Sequence, residues 1–313
     1  MRIAFNNAPD ALVSQLGTLG SQQYRLQNQA ATGKRISQLE DDPTAMRQVL
    51  NLQTQESQST QYRHNIAALQ AQANSSANAI QGLHKVSSRA GELATLANGA
   101  RSPTELQSHA TEVTQLVRQA VQLMNSQHQG DYLFGGTNTA QPPFVAVADA
   151  NGKITSVTYQ GNDAVPAAEI AAGTTVSVQV PGANTSGSGA TGLITDSRNG
   201  ADFFNHLIAL QNHFGAGDTA SISSADIPAL AQDEDNITLQ AGNNGIIQTQ
   251  LLAADSVAAG QSLSLKQMIS QNSDVDLAAT LTRLSAAQTT FQAALQSGAA
   301  LIGQSQSLLS YLR

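Results

Sequence analysis

Six histidines, one pair of adjacent aspartates and one acidic turn are the residues whose types could support catalysis or metal binding. The histidines (His64, His84, His109, His128, His206, His213) include no pair at the i, i+4 spacing of a helical zinc site. His206 and His213 share one helix face, yet neither has an evident third ligand, so surface histidines are the simpler reading. Asp41 and Asp42 have the types needed for paired acid–base work, but they stand directly before Pro43, where helix capping explains Asp42. Asp149-Ala150-Asn151-Gly152 begins like a calcium loop. Lys153 then occupies the place of the third acidic ligand and no Glu closes the loop, which leaves a hairpin turn. Asn74, Asn184 and Asn236 match glycosylation sequons, a pattern common by chance. Cysteine is absent, which excludes disulfides, thiolate zinc sites and cysteine nucleophiles. With no phosphate-cradling glycine loop or nucleophile elbow either, the reading is a protein that is not an enzyme and uses no cofactor.

The composition points elsewhere. Charged residues make up 12% of 313, about half the ~25% of an ordinary soluble domain, while 41% are hydrophobic. A disordered chain would be highly charged and poor in apolar residues. Much of this surface is therefore expected to be shielded by other subunits. The 15 Lys and Arg are scattered against 22 Asp and Glu, and a net charge of −7 argues against nucleic acid. No stretch approaches the ~20 apolar residues of a membrane span. The first residues lack the basic region, apolar run and cleavage site of a secretory signal, so export, where it occurs, is expected to read another signal.

The elements that this composition must build are mainly helical. Residues 10 to 128 read almost wholly as helix. Leu12, Leu16, Leu19, Leu26 and Ala30 follow the spacing of one helix face, with Gln23 as the polar exception. Thr32-Gly33-Lys34-Arg35 interrupts the pattern as a turn or extended loop, and Asp42-Pro43 starts the next helix. A stripe from Tyr62 through Ile66, Leu83 and Leu93 then runs to a break at Asn98-Gly99. Ser102-Pro103 restarts a helix carrying Leu106, Val113, Val117 and Met124, so the two are expected to pair antiparallel. From Gly130 to about Gly200 the chain turns rich in Gly, Pro, Thr and Val. Ile154–Tyr159 and Thr174–Val180 read as strands, Asn151-Gly152 as a hairpin turn and Thr185–Gly189 as a flexible surface loop. The fold class expected is mainly α with a β-rich insert, long antiparallel helices and a terminal coiled coil. A short helix follows over Phe203 to Leu210, and a long one over about Ser224 to Gln271, weakened by Gly242, Gly245 and Gly260.

The last segment carries the clearest pattern. Positions 277, 281, 284, 288, 291, 295, 298, 302, 305, 309 and 312 hold strict heptad spacing, with Leu277, Leu281, Leu284, Phe291, Leu295, Ile302, Leu309 and Leu312 as its apolar members. Arg283 is the one charged residue in that stretch. A two-stranded coiled coil in water would carry Glu and Lys beside the seam; here Gln, Ser, Thr and Ala stand there, as if the outer faces were packed too. The alternative is a neutral helix buried within one globular domain.

These residues, taken together, resemble the flagellin superfamily, most closely the branch whose members join hook to filament. The match lies in Thr32-Gly33-Lys34-Arg35-Ile36 with Asp41-Asp42-Pro43-Thr44-Ala45, in Gly130-Asp131-Tyr132-Leu133-Phe134-Gly135-Gly136-Thr137 with Pro142-Pro143-Phe144, in Tyr159-Gln160-Gly161-Asn162 through Ile170, and in Asp274–Leu277 with the ending from Phe291 to Leu312. The resemblance implies a terminal coiled-coil assembly domain (1–40 with 275–313), a helical rod (41–130 with 200–274) and a β-rich outer domain (131–199). It implies a structural subunit between hook and filament, placed outside the cell and exported through the flagellum's type III channel without a cleaved signal. Its implied partners are flagellin, a hook-side junction protein, copies of itself in a ring and a type III export chaperone, with no nucleic acid and no membrane. The assembly interface is then expected at Leu12, Leu16, Leu19, Leu26 and Arg35, and at Leu277, Leu281, Leu284, Phe291, Leu295, Ile302, Leu309 and Leu312. The stretch Gly242–Ile246 lacks the Arg-rich sequence of that branch, and Tyr311-Leu312-Arg313 resembles the flagellin ending. A flagellin or minor filament subunit is thus the alternative; a secreted ligand-binding or enzymatic protein is the alternative of another class.

Overall fold

Pro43 opens the longest helix because Asp42 caps it: the Asp42 carboxylate accepts from the backbone N–H of Thr44 (3.2 Å) and Ala45 (3.0 Å). The computed structural model describes residues 7–97 and 102–311, and side chains over 10–97 and 102–300. Helix α1 covers Asn7–Thr32, α2 Pro43–Leu96 and α3 Pro103–Met124. The break read at Asn98-Gly99 lies outside the described residues. Ser102 and Glu105 form a reciprocal capping box at the start of α3.

The chain divides into two compact units, residues 1–58 with 261–313 and residues 59–260. In the second unit, Gly82 on α2 lets Leu123 on α3 come close, since an added Cβ would stand 2.9 Å from Leu123 Cδ2. Arg89 on α2 meets Glu112 on α3 at 2.8 Å. The paired positions run in opposite directions, so the two helices are antiparallel.

After α3 come short antiparallel hairpins. Strands β1 (Gln127–His128) and β2 (Asp131–Tyr132) are joined by Gln129-Gly130, both at positive φ (55° and 97°), as a two-residue hairpin demands. Strands β3 (Phe144–Ala148) and β4 (Ile154–Tyr159) pair around a turn in which the Asp149 carboxylate accepts from the N–H of Asn151 and Lys153. Asp149 is a turn residue here, not the start of a calcium loop. Strands β5 (Ala168–Ala171) and β6 (Thr174–Val176) follow. The expected strand to Val180 ends at Val176 because the later residues have no ladder partner, yet Val176, Val178 and Val180 all still point inward. A last sheet orders β7 (Ala183–Asn184), β8 (Thr195–Asp196) and β9 (Ala201–Asp202).

The loop 185–189 is exposed but organised. The buried Asn184 amide donates to the carbonyls of Ser188 and Ala190 (2.6 Å each) and accepts from the N–H of Ser186 and Gly187. Below it, buried Asp196 holds Arg198 through both carboxylate oxygens, and those hydrogen bonds lower the Asp196 pKa to about 2.

Helix α4 (Phe203–Ala216) leads through the one-turn α5 (Thr219–Ser221) and a π-turn (Ile222–Asp226) into α6 (Ile227–Ser273). Helix α7 (Leu277–Tyr311) closes the described chain. Phe134, Phe203, Phe204 and Phe214 centre one core that α2, α3, α4 and the strands share; Ile66, Ile170, Val178 and Leu251 make a smaller one.

Candidate assembly surface

The first unit is built on α1 and α7, which lie antiparallel and are fastened at one end. Gly33, at φ 69°, turns the chain out of α1. Lys34 then forms an antiparallel bridge with Asp274: Arg35 N–H donates to Ser273 O (2.7 Å) and Val275 N–H to Gly33 O (3.0 Å). The side chains repeat the link, with Lys34 Nζ 2.5 Å from Asp274 Oδ1. Hydrogen bonds from Lys34, Ser270 and Ser273 hold the Asp274 carboxyl down at about 2. Arg35 is half exposed and tied within its own chain, donating to Asn272 O (2.7 Å) beside Asp42 (3.7 Å). Asp41 is used in the same loop: N–H groups of Ser37 and Gln38 bond its carboxylate and lower its pKa. Asp41 and Asp42 are therefore structural carboxylates, not an acid–base pair.

On α1, Leu12, Leu16 and Leu19 are half-buried and Leu26 is buried. The α7 heptad divides. Leu284, Phe291 and Gly298 turn inward, joined by Thr280, Ala287 and Ala294, which the heptad register did not contain. Leu277 (49% exposed), Leu281 (52%), Gln288 and Leu295 (46%) form a second column that faces water. Ile302 and Leu309 lie on α7 beyond the described side chains, and Leu312 lies outside the described residues. Val13 (68%) and Tyr24 (67%) add exposed apolar surface on α1. The two inward columns are one turn-step apart on α7, so α1 covers one flank of a wide apolar stripe and leaves the other bare.

The histidine reading needs correction. His206 and His213 on α4 are not plain surface residues: each Nδ1 lies 2.7 Å from a buried aspartate, Asp233 and Asp226 respectively. The signal available was the matched spacing of seven in both pairs. Among the described residues no group of three or more His, Asp or Glu could hold a metal ion, and no helix is long and apolar enough to cross a membrane.

Residues 5–139 match the family of the bacterial flagellin N-terminal helical region. A comparison with curated proteins finds no match. Among solved structures, one described as a flagellar hook-associated protein from Vibrio parahaemolyticus is 21% identical over 75% of this chain and 100% of its own, with a TM-score of 0.63. FlgL of Bacillus cereus is 19% identical over 71% and 99% (TM-score 0.53). FlgL of Xanthomonas campestris is 19% identical over 69% and 98% (TM-score 0.55). These likenesses establish the fold. Residues 5–139, from α1 through β2, are thus similar to the flagellin N-terminal helical region, and the chain shares its fold with these flagellar structures.

Proposed function

We propose that this chain is a non-enzymatic structural subunit of the bacterial flagellum, set between hook and filament as an adaptor from hook-side subunits to flagellin. The observation that carries the reading is the divided stripe of α7: one column is covered by α1, and the column Leu277, Leu281 and Leu295 is left bare for neighbouring subunits. Three leucines half in water on one helix face are a poor arrangement for a lone chain and a sound one for an assembling chain. The flagellin-like N-terminal region and the shared fold support association with other flagellar components. The finer partners are flagellin, a hook-side junction protein, other copies of the chain and an export chaperone. In this reading residues 1–40 and 275–313 assemble, 41–130 and 200–274 form the rod, and 131–199 face outward. The protein reaches the flagellum through the type III channel without a cleaved signal.

Deleting the gene tests this. Hooks without filaments, with flagellin shed into the medium, are the expected result; normal filaments in the deletion strain would overturn the proposal.

A further inference from the structure

The second unit contains a device that its assembly role does not use. Helix α4 forms a hairpin with the π-turn and the start of α6, and two hydrogen bonds of the same kind cross it one heptad apart. His206 Nδ1 lies 2.7 Å from Asp233 Oδ2, and His213 Nδ1 lies 2.7 Å from Asp226 Oδ2. A carboxylate only accepts, so the proton between each pair sits on Nδ1. The aspartates are sealed, with side chains 0% and 4% exposed, whereas the imidazoles keep 26% and 31% of their surface in reach of water. Asp233 is further fixed by the N–H of Asp202 at 2.9 Å. Each pair thus joins a fixed buried acceptor to a ring that can exchange its second proton with solvent.

We infer that the α4–α6 hairpin carries a proton-controlled latch: protonation of His206 converts its hydrogen bond to the buried Asp233 carboxylate into an ion pair and tightens the hairpin, and deprotonation loosens it. A buried carboxylate facing a neutral ring is incompletely compensated; facing an imidazolium, it has its counter-charge. The surroundings reinforce the sign. His206 faces Asp233, Asp202 and Asp226, whose charges all raise its pKa. His213 faces Asp226 and acts on Asp218. On α3, which also carries Glu105, Glu112 and Arg118, His109 packs its ring against Phe214 of α4, 5.5 Å between centroids. Geometry and charge agree with the direction of two shifts: the Asp233 hydrogen bond raises the His206 pKa, and burial raises that of Asp233. A raised folded-state value stabilises below the unfolded value and loses that stabilisation as pH climbs through the folded one. For His206 the unit is therefore weaker as pH rises above 6.5 and through the raised folded-state value.

The test is carried out on the full chain. His206 resonances followed by NMR from pH 5 to 9 should show the ring losing its proton above 6.5, the ordinary imidazole value. Urea unfolding at pH 5.5 and 8.0 should show an unfolding constant about tenfold smaller at the lower pH. H206Q should reduce that ratio to below about twofold, and Asp233→Asn should do the same while leaving the protein folded. A His206 ring that titrates at or below 6.5, or an H206Q variant that keeps the tenfold ratio, would overturn the inference; the NMR arm requires no variant to fold.

Discussion

Leu12 and Gly298 are fitted to each other: a Cβ placed on Gly298 would stand 2.7 Å from Leu12 Cδ2. The relation is reciprocated farther along the pair, where Gly20 on α1 faces the Phe291 ring of α7, 3.8 Å from where its Cβ would be. Each helix offers a glycine opposite a large residue of the other, and together with the Lys34–Asp274 bridge this sets their register at three levels. The two glycines differ in tolerance. Gly20→Ala meets an ordinary contact and gains helix propensity, so the pair should be stabilised by up to about 1 kcal/mol. Gly298→Leu overpacks the seam and should cost about 1–3 kcal/mol. Urea midpoints of the two variants should move in opposite directions; shifts of one sign would mean that the seam is not packed as described.

Leu295→Asp separates assembly from folding. Leu295 is 46% exposed, so the charge remains hydrated in the monomer and the folding equilibrium should move by less than about 0.5 kcal/mol. Once a neighbour covers that column, the same charge is buried without a partner. Incorporation at the hook tip should fail although circular dichroism and the urea midpoint are unchanged. Normal motility in this strain would remove the outward column from the interface.

How much of this was legible in the sequence depended on what each residue required from elsewhere. The α1 stripe from Leu12 to Leu26 was readable from its own helical spacing although its partners lie on α7, and the Asp42 and Ser102 caps were readable because their partners lie within one helix turn. The α7 heptad was readable as a stripe, but not which flank α1 covers, since Leu, Ala and Thr columns adjoin and all can pack. Thr280, Ala287 and Ala294 were missed for that reason. The pattern at Val176, Val178 and Val180 reported burial correctly; it carried no information on whether a second strand would be there to pair. The His206–Asp233 link spans a helix hairpin, and only the repeated spacing of seven hinted at it.

Acid should loosen the Lys34–Asp274 fastening over a defined window. Asp274 is held at about 2, below its ordinary carboxylate value of 3.8, first by its hydrogen bond from Lys34. A depressed folded-state value stabilises above the unfolded value and loses that stabilisation as pH falls through the folded one. The contribution is thus present above pH ~4 and gone near pH 2, and it is small because both side chains are half exposed. Asp274→Asn should flatten the pH 4 to 2 limb of stability without changing the limb above pH 5. An unchanged acid limb in the variant would show that the Lys34 bond does not contribute.

Gly242 and Gly245 sit inside α6 with open space around them: a methyl group added at either would have nothing within 4 Å, and neither has a positive φ. Each costs the helix about 1 kcal/mol relative to alanine. The double variant G242A/G245A should unfold at a higher temperature by several degrees. If the melting temperature rises while incorporation at the hook tip falls, the bare backbone at these two positions is a contact for a neighbour; if it does not rise, the helix is not continuous there in solution.

Residues 59–260 should fold as an isolated chain. They contain both hydrophobic clusters, the His–Asp latch and the bridge from Ser59 to the Ala258 carbonyl (2.9 Å) that joins α2 to α6 at the edge of the unit. They also lack α1, α7 and the leucine column, so nothing in the proposed assembly surface remains. The fragment should therefore be monomeric by sedimentation, unfold cooperatively in urea and fail to enter the flagellum when supplied in place of the full chain. A fragment that aggregates or melts without cooperativity would show that the core depends on the terminal helices. One that restores filaments would show that assembly does not.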